Sequence, residues 1–101
     1  MCFSRLEAIK SGRRFVFEAK TVTPRSELSQ TRSGLSQLLG YRFFYGEPSD
    51  CLCLVTDAPI SDRRIRFLES NSVAVAYEEG SGLVPCGAFA QDLFARRRRC
   101  G

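Results

Sequence analysis

No histidine occurs anywhere in the chain. Its absence removes the commonest general base, the Ser-His and Cys-His nucleophile pairs and the usual zinc ligand, and many enzyme classes go with it. Long hydrophobic runs are missing too. The longest uninterrupted apolar stretch, Val73 to Tyr77, falls far short of the roughly 20 residues that cross a bilayer. Arg5 and Glu7 stand where a secretory signal would carry its apolar segment. A chain without a membrane partner, located in the cytoplasm, is the expectation. The five cysteines, Cys2, Cys51, Cys53, Cys86 and Cys100, include no C-x-x-C and make an odd count. That fits neither a disulfide framework nor a zinc site, so all five read as reduced thiols. Cys51 and Cys53, two apart in an apolar segment, read as small core residues on one strand face.

What is present is ordinary for a globular chain: 101 residues, 44% apolar and 26% charged. That length allows one small domain with a single modest core, here placed over residues 1–95. Basic residues number 15 against 11 acidic ones, but the run Arg96 to Arg99 holds the excess. The basic balance is thus a property of a tail at 96–101, which reads as a solvated end or a non-specific phosphate contact.

Along the chain, Phe3 to Ile9 alternates loosely, Ser11-Gly12 sits in a turn-like segment, and Phe15-Val16-Phe17 opens a β-prone run to about Val22. The pattern predicts a β-hairpin with Ser11-Gly12 at its tip. After Thr23-Pro24-Arg25, the spacing of Leu28, Leu35, Leu38 and Leu39 predicts a helix from Ser26-Glu27 to about Phe44. Leu52 to Thr56 is apolar on both faces, as in a strand buried between layers. Ser61-Asp62 then reads as an N-cap for a helix carrying Ile65, Phe67 and Leu68, and Asn71-Ser72 as its stop. Val73 to Tyr77 reads as a strand, Gly80 to Gly82 as a turn, and Phe89 to about Arg97 as a last helix. The predicted order is β-β-α-β-α-β-α, an α/β three-layer sandwich on a mixed sheet of about four strands.

The second strand holds the one constellation with chemical promise. Period two puts Val16, Glu18 and Lys20 on one face, and Phe15, Phe17 and Ala19 on the other. A Glu-x-Lys pair in an apolar strand is costly to bury unless satisfied, so it is an ion pair, a solvated face or a site. Elsewhere, Arg63, Arg64 and Arg66 read as a solvated helix face or a phosphate contact, and Asp57 as a turn residue or a site residue at a strand end. The Gly80-Ser81-Gly82 turn lacks the spacing of a phosphate-binding loop.

The hairpin, Glu18-Ala19-Lys20 late in its second strand, and a following helix containing Gln37-Leu38-Leu39-Gly40-Tyr41 together resemble the PD-(D/E)XK phosphodiesterase superfamily. That is the restriction-endonuclease-like fold. The likeness is to its RecB-type branch, with E-x-K and Q-x-x-x-Y motifs, and covers roughly residues 3 to 78. It implies a metal-dependent nuclease-like domain that binds or cleaves DNA by phosphodiester hydrolysis. Glu18 would be a ligand of Mg²⁺ or Mn²⁺, and Lys20 would orient or help deprotonate the attacking water. Gln37 and Tyr41, one helical turn apart, would reach the same site. A hard divalent ion activates water without any histidine, so the missing residue type is compatible with this chemistry.

Two departures set the alternative. The superfamily's other metal ligand is an Asp on the preceding strand, whereas a two-residue turn at Ser11-Gly12 pairs Arg5 with Glu18 and Glu7 with Val16. A cation then takes the ligand slot, and Glu7, the nearest acid on that face, lies two residues along. The helix that precedes the hairpin in the superfamily is also lacking, which reads as an N-terminally shortened fragment or as a sheet face covered by a partner or a second copy. The alternative function is a catalytically dead interaction or assembly module, working as a homodimer or with a partner.

Overall fold

The computed structural model describes residues 5–95. β1 (Arg5–Lys10) and β2 (Arg13–Lys20) form an antiparallel hairpin. Its turn residues Ser11 and Gly12 both have positive φ, 55° and 76°, the signature of the two-residue turn whose twist matches that of the strands. The register follows from the turn length: Lys10 faces Arg13, Glu7 faces Val16 and Arg5 faces Glu18.

α1 (Glu27–Tyr45) crosses from β2 to β3 (Cys51–Thr56), and α2 (Asp62–Glu69) crosses from β3 to β4 (Val73–Glu79). The β2–β3 and β3–β4 pairs are parallel, and every residue of β3 is buried. Ser26 opens α1 without capping it, because its hydroxyl turns back to accept the Thr23 N–H at 2.9 Å. α2 is capped from outside: the Ser61 N–H and hydroxyl both donate to Glu27 Oε2, at 3.2 and 2.6 Å. Ser72, at φ 60°, ends the turn after α2.

Among the described residues the sheet has five strands, where the sequence pattern predicts about four. β5 (Gly82–Cys86) pairs antiparallel with β4 across a turn at Gly80-Ser81. Gly82 and Pro85 are poor strand formers, and an edge position tolerates them because Pro there loses no ladder bond. α3 (Gly87–Phe94) starts two residues before its predicted start, with the N–H of Phe89 in its first turn donating to Glu69 Oε2 at 3.1 Å. The predicted extension to Arg97 and the run Arg96 to Arg99 lie outside the described residues.

The observed order is β-β-α-β-α-β-β-α, and the strands lie in the sheet in sequence order, β1 to β5. α1 and α2 pack on one face, over Val16, Leu52, Leu54, Val73 and Val75. α3 packs on the other, where Phe15, Cys53, Ala74, Ala76 and Leu93 meet. Helices on both faces make the predicted three-layer sandwich, and α3 covers the face that the missing N-terminal helix was expected to leave for a partner. Phe15 is 2% exposed and stacks between Phe17 and Phe94, at 5.9 and 6.2 Å between centroids. Cys51 is disulfide-bonded, which corrects its reading as a thiol; Cys53 and Cys86 are free. Spacing along a chain carries no information about which distant cysteines meet, since pairing is set by Cα geometry. Cys2 and Cys100 lie outside the described residues. No helix among the described residues is long and apolar enough to cross a membrane.

Candidate functional site

Glu18 points to the α1 side of the sheet and is 2% exposed. Such burial must be balanced, and β1 supplies the balance. Arg5 Nε donates to Glu18 Oε1 at 3.3 Å from the position that the hairpin register dictates. The Arg5 guanidinium also lies over the Tyr41 ring, 4.6 Å from its centroid, a cation–π arrangement that keeps the side chain extended across the strand. Burial nevertheless pushes the Glu18 carboxyl above its ordinary value, against the opposing pull of Arg5 and Lys20.

Tyr41 links this pair to a second one. Its hydroxyl accepts from Arg14 Nη2 at 3.3 Å. Arg14 in turn sits 3.4 Å from Glu7 Oε2 and 3.5 Å from Asp50 Oδ2. The Arg14–Asp50 contact is an ion pair without hydrogen-bond alignment at Nε. Asp50 is buried and holds the loop after α1 by accepting the Glu47 N–H at 2.9 Å. A continuous row therefore runs Glu18, Arg5, Tyr41, Arg14, Asp50, tying β1, β2, α1 and the start of β3 together.

Of the four residues that the sequence singled out, Glu18, Lys20 and Tyr41 come to one side of β2, and Gln37 does not join them. Lys20 is half-buried, its stem lying beside Gly34 of α1, and it makes no ion pair with Glu18. Gln37 is exposed, and its side chain makes no hydrogen bond among the described residues. Arg14 and Asp50 belong to the row and were not singled out. Arg14 shares the period-two face of Val16 and Glu18, which would have found it; Asp50 sits in a loop that no periodicity reaches. Glu7, the one acid with a chance of joining Glu18, is engaged by Arg14. Asp57 is structural: its Oδ1 accepts the Val22 N–H at 2.9 Å and ties the ends of β2 and β3. Of Arg63, Arg64 and Arg66, only Arg64 has a carboxylate partner among the described residues, 4.0 Å from Glu27.

A hard divalent cation takes at least six oxygen ligands and prefers carboxylates. Around Glu18 the near neighbours on its face are the cations of Arg5 and Lys20, and no group of three acidic, cysteine or histidine side chains forms a cation site among the described residues. The donor set does not fit the Mg²⁺ or Mn²⁺ that the resemblance implies. The strands run in sequence order, so the sheet has no point at which strand order reverses, the usual place of a binding crevice in an open α/β sheet. Comparison with known protein families, curated proteins and solved structures finds no match.

Proposed function

We propose that the chain is a non-hydrolytic domain that works by binding a protein partner, its E-x-K strand serving as an ion-paired scaffold. One observation carries this reading: Arg5 occupies the cross-strand position facing Glu18, where a metal site of the nuclease type needs a carboxylate. The nuclease reading, with Glu18 holding Mg²⁺ or Mn²⁺ and Lys20 and Tyr41 acting on a DNA phosphate, draws support from the burial of Glu18 beside α1. It requires the Arg5 guanidinium to leave.

Thermal melts with and without millimolar Mn²⁺ separate the two. A bound ion at about 100 times its Kd would add about 2.7 kcal/mol of stability. The scaffold reading expects no shift for the native chain and a Mn²⁺-dependent rise for Arg5→Asp, which sets two carboxylates across the strands. A rise in the native chain that Glu18→Ala abolishes, accompanied by DNA cleavage, overturns it.

A further inference from the structure

Between the outer side of α1 and α2 runs a shallow groove of about 640 Å³. Leu35 and Leu39, the least exposed of the residues that line it, form its floor, and Phe67 of α2 its far wall. The near wall is low, because Ser36 and Gly40, one turn apart on α1, carry little or no side chain. Phe43 and Phe44 close one end, 78% and 72% exposed and edge-to-face at 4.9 Å. Arg32 stands at the other end, about three turns or roughly 18 Å away along the helix.

Charge divides the groove along the same line. No acidic residue lines it. Arg32 is exposed and has no carboxylate partner among the described residues. Nor has Arg63, which lies one turn before Phe67 and so on the same stripe of α2. The starts of the two helices meet where Ser61 donates to Glu27, so Arg63 falls at the Arg32 end. Two guanidinium groups thus stand at one end and two exposed rings at the other.

We infer that this groove seats a helix of a protein partner, about three turns long, with large apolar side chains along one face and acidic side chains at one end. Apolar side chains one turn apart fall on Leu35, Leu39 and the Phe43–Phe44 pair, as an amphipathic helix lies in a hydrophobic groove. Carboxylates at the far end meet Arg32 and Arg63. Ser36 and Gly40 let the incoming backbone come close, and a Cβ at Gly40 would meet nothing of its own chain within 4 Å. A nucleic-acid strand fits less well, since it brings a phosphate at every nucleotide and needs cations along the whole groove. The same face of a second copy would bring no acid to the guanidinium end. The inference rests on the partner-binding reading and deepens it by giving the partner's chemistry.

A displayed library of helical peptides, varied at the apolar positions and in the charge of each end, tests the groove on the full chain. Peptides enriched on the native chain should carry acidic residues at one end and bind, once synthesised, with Kd on the order of 10 µM by fluorescence anisotropy. Arg32→Glu should weaken them by about tenfold and, in its own selection, enrich peptides with basic residues at that end. Gly40→Gln should also weaken them by about tenfold while leaving the melting point unchanged or higher, which separates a blocked groove from a lost fold. Three results overturn the inference: no enriched peptide, peptides that bind both variants as they bind the native chain, or a DNA single strand of about 15 nucleotides that binds more tightly than any peptide and is lost in Arg32→Glu. The two readings fail separately. A Mn²⁺-dependent rise in the native melt removes the scaffold reading whatever the peptides do, and indifference to metal with no enriched peptide removes the groove assignment alone.

Discussion

Glu18 holds its proton more tightly than a solvated glutamate, because loss of water disfavours the carboxylate more than Arg5 and Lys20 favour it. A folded-state pKa above the unfolded value of 4.5 means that protonation stabilises the fold. The contribution is fully present below that value and is lost as pH rises through the folded one. Melts of the native chain and Glu18→Gln, from about pH 4 to about pH 7, should therefore drift in the variant's favour as pH rises. Drift the other way would mean that the Arg5 pair outweighs burial. Arg5→Ala leaves the buried carboxylate alone. Since Arg5 is itself 36% exposed, the expected loss at neutral pH is about 1–2 kcal/mol by urea denaturation, less than for a fully buried pair. The facing of Arg5 and Glu18 was legible in the sequence, because a two-residue turn fixes the register of every pair that follows. Gln37 was not legible in the same way: a helical i, i+4 relation puts two side chains on one stripe without saying that both reach the sheet.

Two glycines of α1 should answer the same substitution with opposite signs. At Gly34 a Cβ would come 2.5 Å from Leu54 Cδ1, because the helix lies directly on β3 there. Gly34→Ala should cost about 1–3 kcal/mol despite the better helix propensity of alanine. Gly40→Ala should add about 1 kcal/mol, both read from denaturant midpoints. Caps act between elements in the same way. Glu27→Ala frees the Ser61 N–H and hydroxyl at the start of α2, at an expected cost of about 1 kcal/mol. At this scale the hairpin, the four segments α1, β3, α2 and β4 that follow it and the α2 stop at Asn71-Ser72 were legible from periodicity and turn residues. β5 was not, since Gly82 and Pro85 argue against a strand that only the neighbouring β4 edge makes favourable. Periodicity also grouped Leu28 with Leu35 and Leu38, whereas Leu28 is 37% exposed. The 3.6-residue period identifies the helix and leaves undecided which of its apolar residues meet the sheet.

At the scale of the molecule, the sheet divides the core into two unequal layers. The α1–α2 side is built of Leu, Val and Ile, and the α3 side of small residues closed by Phe15 and Leu93. Leu38, fully buried where α1 meets the sheet, should cost about 3–4 kcal/mol when cut to alanine. The α/β class, the alternation after the hairpin and a last helix packing inward followed from the sequence; that this helix alone covers the second face did not, because Phe89 and Phe94 show only that it has an apolar side.

β1 is an edge strand whose every residue is exposed, and among the described residues its sheet neighbour is β2 alone. Such strands open locally long before a molecule unfolds, so β1 amides should exchange with solvent well ahead of those in β3. The partner of the buried carboxylate rides on this strand. Each fraying of β1 withdraws Arg5 and wets Glu18, so the lifetime of the ion pair is governed by how often an edge strand detaches rather than by the attraction between its two charges.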